Sequence, residues 1–132
     1  MSMFGALDAA ASGVTLGRTW MEAVSDNVAN VDTVRPAGEE PFRARLVVAQ
    51  ARTGTAGVDV TGVEVAGGAP DVVFDPDNPL ADAEGYVTRP KVDLSQEMTH
   101  LLMASRLYQA NLSVMTQARD AYRTALRIGT QS

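Results

Sequence analysis

From Asp93 to Ile128 the chain contains neither glycine nor proline, and a helix over that span, at about 1.5 Å per residue, is on the order of 50 Å long. A compact domain of this chain length is only roughly 35 Å across. Such a helix must protrude, and the rest of the chain has to be arranged around it. Asp93 is placed to cap the free amides just after Pro90, with Gln96 three residues on in the manner of a capping box, and Gly129 is expected to end the helix. Steps of four and three pick out Leu94, Met98, Leu101, Ser105, Tyr108, Leu112, Met115, Arg119, Tyr122 and Leu126 as a buried face. Beside it run Ala104, Leu107, Asn111, Val114, Ala118, Ala121, Ala125 and Ile128. This second run is rich in alanine, which lets another backbone come close.

A second proline-free segment, Met3 to about Val31, repeats apolar residues every seven positions. Leu7, Val14, Met21 and Val28 are interleaved with Ala10, Gly17, Val24 and Val31. A neighbouring stripe of mostly small residues, Ala6, Ala9, Gly13, Leu16, Trp20 and Ala23, lies beside them. Two helices of this kind are expected to pair antiparallel. A simple hairpin of two helices, however, shelters one stripe on each and leaves the other in water. An apolar surface of several hundred Å² left open in this way marks an interaction surface.

Between the helices the pattern changes. Phe42 to Val48 and Val58 to Val65 alternate with period two, and the second run changes phase at Gly62 as a bulge would make it. Asp71 to Asp75 and Gly85 to Thr88 read as two more short strands, separated by turns at Gly54 to Gly57, Gly67 to Pro70 and Asp75 to Pro79. Asp32 to Pro41 is polar and carries prolines, so it reads as a loop that orders against a neighbour. The fold class is therefore α+β, with long terminal helices paired like a coiled coil around a small β-rich middle. The divisions are an N-terminal helix over 1–31, a linker and β-rich unit over 32–92, and a C-terminal helix over 93–132.

Charge and composition exclude several functions. Sixteen acidic residues against eleven basic ones give a net charge of −5 without any basic run, the wrong sign for a nucleic-acid partner. The chain has no cysteine, so thiolate metal sites and cysteine nucleophiles are out. The start, MSMFGALDAAASG, lacks the basic and continuously apolar parts of a cleavable secretory signal, and no apolar run is long enough to span a membrane.

Asp75, Asp77, Asp82 and Glu84 crowd one stretch, but counting from Asp75 a calcium loop would need glycine at Leu80 and glutamate at Tyr86. The stretch reads as a solvated acidic loop. His100, the single histidine, falls on the polar side of the second helix with no second histidine to complete a catalytic or metal constellation. No glycine loop with a following lysine cradles phosphate. Trp20, Tyr108 and Tyr122 suit either a core or an interface, and the adaptable Met98, Met103 and Met115 suit either gap filling or several packings. No catalytic residue, metal, cofactor or small-molecule substrate is expected.

The residues carry a resemblance. Ala6 to Gly13, then Met21, then Val24-Ser25-Asp26-Asn27-Val28-Ala29-Asn30-Val31-Asp32-Thr33 resemble the signature that opens axial proteins of the flagellar rod and hook. Gly85-Tyr86-Val87, Pro90 to Asp93, Gln96 to Met98, Ala104 to Arg106 and Tyr108 to Asn111 are similar to short proximal-rod members of that family. Phe74 to Pro79 matches their Tyr-Asp-Pro type loop. Asp26 and Asp32 depart from the usual signature, which commonly has a second asparagine and a small or amide residue there.

The resemblance implies a structural subunit of the proximal rod, exported through the flagellar type III apparatus without a cleavable signal. It implies assembly outside the cytoplasmic membrane with itself, other rod proteins and the basal-body ring and export gate. The paired helices would form a tube around the export channel, with the β-rich part outside. The expected subunit seams are Leu7, Val14, Met21, Val28, Leu101, Tyr108, Leu112, Met115, Tyr122 and Leu126. Asn27, Asn30 and Thr33 end the first helix, and the resemblance gives them the further task of fixing the turn at a subunit contact. The rival readings are a secreted helical-hairpin adaptor forming a closed oligomer, and a small hydrolase using His100.

Overall fold

The computed structural model describes residues 2–54 and 56–130. Of the sequence reading, Met1, Thr55 in the turn after Gly54, and Gln131 and Ser132 at the end of the second helical segment lie outside those residues. Helix α1 spans Met3–Ala29, and Ser2 caps it by accepting a hydrogen bond from the Gly5 amide at 3.0 Å. Helix α2 spans Leu94–Thr130, 37 residues, and Asp93 Oδ1 accepts from the Gln96 amide at 3.1 Å, the expected cap. α2 runs through Gly129 instead of stopping there, because an exposed glycine costs a helix only about 1 kcal/mol. The two helices pair antiparallel along most of α1.

Five strands lie between them: β1 Arg35–Pro36, β2 Arg45–Ala51, β3 Val58–Val65, β4 Asp71–Phe74 and β5 Tyr86–Arg89. β2 and β3 form an antiparallel hairpin in which Val48 faces Gly62 but Ala49 faces Val60, so Thr61 is the extra residue of a bulge. The phase change foreseen at Gly62 is absorbed there, and Val58, Val60, Val63 and Val65 all stay on one face. The remaining strands make a second antiparallel sheet in the order β1-β5-β4. Its first strand lies inside the segment read as a loop awaiting a neighbour. Arg35 and Pro36 pair with Thr88 and Val87 of the same chain, and Gly38 at φ 86° turns the chain back after them.

Two sequence expectations change on contact with the structure. The second stripe of α1 is not left entirely to outside partners: Gly13 and Trp20 face α2, and the β2–β3 hairpin lies alongside, with Gly57 close to Ala9 and the Ser12 hydroxyl accepting from the Val58 amide at 3.0 Å. The face of α2 turned to α1 is neither of the two runs read from the sequence. The covered positions step by four and three through Glu97, Leu101, Ala104, Tyr108, Asn111, Met115 and Ala118, a line between the two runs. The physical reason is the small side of α1, which draws the α2 backbone in along its alanine and asparagine positions. Leu94, Met98 and Leu112, expected to be buried, are therefore exposed.

At one end of the pair, Phe4 meets Tyr122 edge to face at 5.9 Å. Around and beyond that contact, residues 119–129 of α2 are all exposed. The sheet β1-β5-β4 sits at the other end, where α1 stops and α2 starts.

Candidate assembly surface

The helix pair closes on glycine. A methyl group on Gly17 would stand 3.0 Å from the Tyr108 nitrogen and 3.1 Å from its Cα, so the backbones themselves are in contact there. One turn away, a methyl on Gly13 would meet the Asn111 side chain at 2.5 Å. Two glycines four residues apart on one face admit a second helix at close range. In the sequence they fall on different stripes, Gly17 with the sevenfold repeat and Gly13 with the small residues beside it, and nothing in either stripe marked them as the point of closest approach.

At the other end of the pair, Asn27 ties three elements together. It is 1% exposed. Its Oδ1 accepts from the Arg45 amide at 2.7 Å, while Nδ2 donates to the Arg45 carbonyl at 3.1 Å and to Glu97 Oε2 at 2.9 Å. The side chain thereby extends β2 like a neighbouring strand and anchors α2 through Glu97, itself only 7% exposed. Asp26, one of the departures from the usual signature, pairs with the Arg45 guanidinium at 2.7 Å on the solvent side of the same junction.

Asn30 is the C-cap of α1, and its Nδ2 donates to the Asp26 carbonyl at 2.9 Å. Thr33 donates from its hydroxyl to Asn30 Oδ1 at 3.3 Å, closing the turn. All three polar residues singled out in the sequence thus lie at the helix exit. Glu97 and Arg45 were not named as Asn27's partners. The signal for Glu97 was its place on the four-three step with Leu101, Ala104 and Tyr108, where a carboxylate needs a partner.

The expected seam residues divide. Leu7, Val14, Met21, Val28, Leu101, Tyr108 and Met115 are half-buried, whereas Leu112, Tyr122 and Leu126 are exposed. Phe4, Leu7, Leu112, Met115 and Tyr122 line an apolar groove of about 320 Å³ where the two helices part. Phe4 (69% exposed), Leu126 (51%) and Ile128 (68%) extend the apolar surface at this end. The outer side of α2 adds Met98, Leu102 and Met103.

Other sequence candidates have structural tasks. His100 does not lie on a free polar side: it is half-buried, its ring 6.1 Å from Trp20 and its Nδ1 3.5 Å from Glu97 Oε1. In the acidic stretch, Asp82 Oδ1 accepts from the amides of Glu84 and Tyr86, and Asp75 Oδ2 accepts from Asn78, so these carboxylates shape the β4–β5 connection.

Arg43 donates to the carbonyls of Ala66 and Gly68 and pairs with Glu40 at 3.0 Å, fastening the link between the two sheets. The hydrogen bond from Arg43, reinforced by its charge, holds the Glu40 carboxyl below its ordinary range, and Arg43 is correspondingly raised. Arg52 is raised by its bond to Asp59, with Asp8 adding to the effect, and so clips the hairpin to α1.

Comparison with known proteins shows the family of the chain. Residues 83–128, which hold β5 and nearly all of α2, match the family described as flagellar basal body rod FlgEFG protein C-terminal. Flagellar basal-body rod protein FlgC of Yersinia enterocolitica is 38% identical over 134 residues, covering 98% of this chain and 99% of the relative. The protein of that name from Bacillus subtilis (strain 168) is 35% identical over 149 residues, at the same coverage of both chains. The chain belongs to the FlgC family of flagellar basal-body rod proteins. The FlgC relationship runs through helices and β-rich middle alike, as the resemblance read along the whole sequence had implied. This FlgC-family chain is a structural subunit of the rod.

Proposed function

We propose that this rod subunit assembles by packing its terminal helices laterally and axially against copies of itself and other rod proteins, building the tube of the proximal rod around the export channel. Residues 1–31 and 93–132 form the polymerising unit, and residues 32–92 the β-rich outer unit. Leu112, Tyr122 and Leu126 meet neighbouring subunits directly, and the half-buried Leu7, Val14, Met21, Val28, Leu101, Tyr108 and Met115 hold the helix pair that presents them. Asn27, Asn30 and Thr33 set the turn at which the tube wall passes into the outer unit. The subunit travels through the flagellar export apparatus without a cleaved signal, assembles outside the cytoplasmic membrane, and touches the basal-body ring and export gate. It works mechanically, with no catalytic site, cofactor or small-molecule substrate.

The observation that carries this reading is the size of the exposed surface. The chain presents 8715 Å² to solvent, against roughly 6,700 Å² for a compact monomer of its mass. The excess, about 2,000 Å², is of the order that stable protein interfaces bury. Among the described residues, nine of the seventeen exposed large apolar side chains lie on α2. The test is electron microscopy of the purified chain mixed with other rod proteins. Tubular or ring-like stacks are expected, whereas a discrete closed oligomer would favour the adaptor reading, for which the FlgC relationship offers no support.

A further inference from the structure

We propose that the exposed end of α2 docks, head to tail, on the β4–β5 face of a second copy of this chain. The inference deepens the assembly reading above and rests on it. Its starting point is how unevenly charge is distributed. Residues 106–130 hold Arg106, Arg119, Arg123 and Arg127 against Asp120, a net +3, so the chain total of −5 leaves −8 on the remainder. The basic end is also apolar, because Tyr122, Leu126 and Ile128 are exposed there.

The opposite end of the molecule carries the complementary chemistry. Phe74 and Tyr86 are directly paired across β4 and β5, their rings edge to face at 5.3 Å, and both are exposed. Val72 lies on the same face of the sheet. Asp77, Asp82 and Glu84 stand exposed on the connection beside them. Aromatic side chains on one surface and arginines on the other are the residue types that anchor protein interfaces.

These two surfaces cannot meet within one copy. The sheet lies where α2 begins, and Arg119, Arg123 and Arg127 lie about 40–50 Å further along the helix. Two different surfaces that fit each other at opposite ends make a heterologous contact. Such a contact leaves a free surface on each copy for the next, and its rotation decides between a ring and an open stack. Opposite charge on the two surfaces sets the direction of stacking, since tail against tail or sheet against sheet would bring like charges together.

The test uses the full-length chain in sedimentation velocity at low and high salt. One variant carries Arg119→Glu and Arg123→Glu, and the other Asp77→Lys and Glu84→Lys. These are exposed positions, and circular dichroism checks that helix content is kept. The unaltered chain is expected to associate with rising concentration and to weaken with salt. Each variant alone is expected to associate about tenfold more weakly or less. Mixed together, the two variants are expected to recover association, because each reversed surface then finds an opposite one. A damaged fold would not be repaired by mixing.

The inference is overturned if the unaltered chain stays monomeric, if either variant associates as the unaltered chain does, or if the mixture associates no better than its parts. It is equally overturned if the arginine variant's loss is confined to binding phosphatidylserine vesicles. Recovery of the tagged unaltered chain with isolated basal bodies separates the two levels of argument. If it is recovered while the salt and mixing results fail, the head-to-tail contact falls and the rod assembly stands. If it is not recovered, the rod assembly falls as well.

Discussion

Asn27→Asp changes one nitrogen to oxygen and leaves the shape of the side chain unaltered, so its cost is almost wholly electrostatic. The bond from the Arg45 amide to Oδ1 survives. The two bonds that Nδ2 donates, to the Arg45 carbonyl at 3.1 Å and to Glu97 Oε2 at 2.9 Å, become contacts between acceptors. One of them sets two carboxylates against each other at a site where neither residue is more than 7% exposed. A lost hydrogen bond to a charged group is worth about 1.5–3 kcal/mol, and leaving a buried charge without compensation costs about 3–5 kcal/mol. The two overlap, so the expected loss is about 4 kcal/mol, a large share of the 5–15 kcal/mol typical of folded domains. Thermal melts followed by circular dichroism should show the variant unfolding about 10–20 °C lower. Adding Glu97→Gln supplies an amide that can donate to the new carboxylate, and should restore at least half of the loss. A melt within a few degrees of the unaltered chain, or a double variant no better than the single, would show that Asn27 does not hold α1, β2 and α2 together.

Gly17→Ala should lose up to about 2 kcal/mol, since a gain of about 1 in helix propensity is outweighed by about 1–3 for prising the helices apart where the added methyl would stand 3.0 Å from the Tyr108 nitrogen. Gly13→Ala should stay within about 1 kcal/mol of neutral, because the Asn111 amide can turn aside; chemical denaturation compares the two. Leu112→Asp should leave the melt of the isolated chain nearly unchanged and abolish motility, whereas Leu101→Asp, half-buried against α1, should lower the melt itself. Normal swimming with Leu112→Asp would remove this residue from the assembly surface. Because Arg43 depresses the Glu40 carboxyl, that pair stabilises the fold above the ordinary value of 4.5 and ceases to as pH falls through the lowered one. Urea unfolding of Glu40→Gln should therefore show a flatter acid limb, with a small effect because the pair is exposed.

How far the sequence could be read depended on which residues decide each feature. The absence of glycine and proline from Asp93 to Ile128 and the cap at Asp93 are local, and local signals sufficed for α2. The valine alternation with its break at Gly62 likewise carried its own bulge. The rotation of α2 about its axis was a different matter. Counting apolar residues favoured Leu94, Met98 and Leu112, but the helix turned toward α1 the positions where Gly13 and Gly17 allowed the closest approach. Burial follows the partner's shape as much as a helix's own hydrophobicity. β1 was missed because two residues, one of them proline, carry no periodicity, and their pairing is decided by β5 some fifty positions away. The Asn27 site was half legible. An amide at a helix exit is a cap by default, and its longer reach to Arg45 and Glu97 depends on where two distant elements come to rest.

The interior explains why such a chain seeks neighbours. Among the described residues, the buried apolar side chains are Ala10, Ala23, Val24, Val87 and Ala104, and the largest fully buried side chains are two valines, an asparagine and a threonine. The described leucines, methionines and aromatics, which supply about 1.5–3 kcal/mol each when fully buried, are half-covered or exposed. The interior is thus made of small residues and hydrogen bonds, which fix geometry well and contribute little cohesion. That suits a subunit whose cohesion is completed on assembly, because binding that favours the folded form adds its own free energy to a fold of low intrinsic stability. Filling the seam with larger side chains would strengthen the isolated chain, but it would widen the spacing that Gly13 and Gly17 set between the helices. Close helix packing and a large interior compete for the same positions, and this chain resolves the competition in favour of packing.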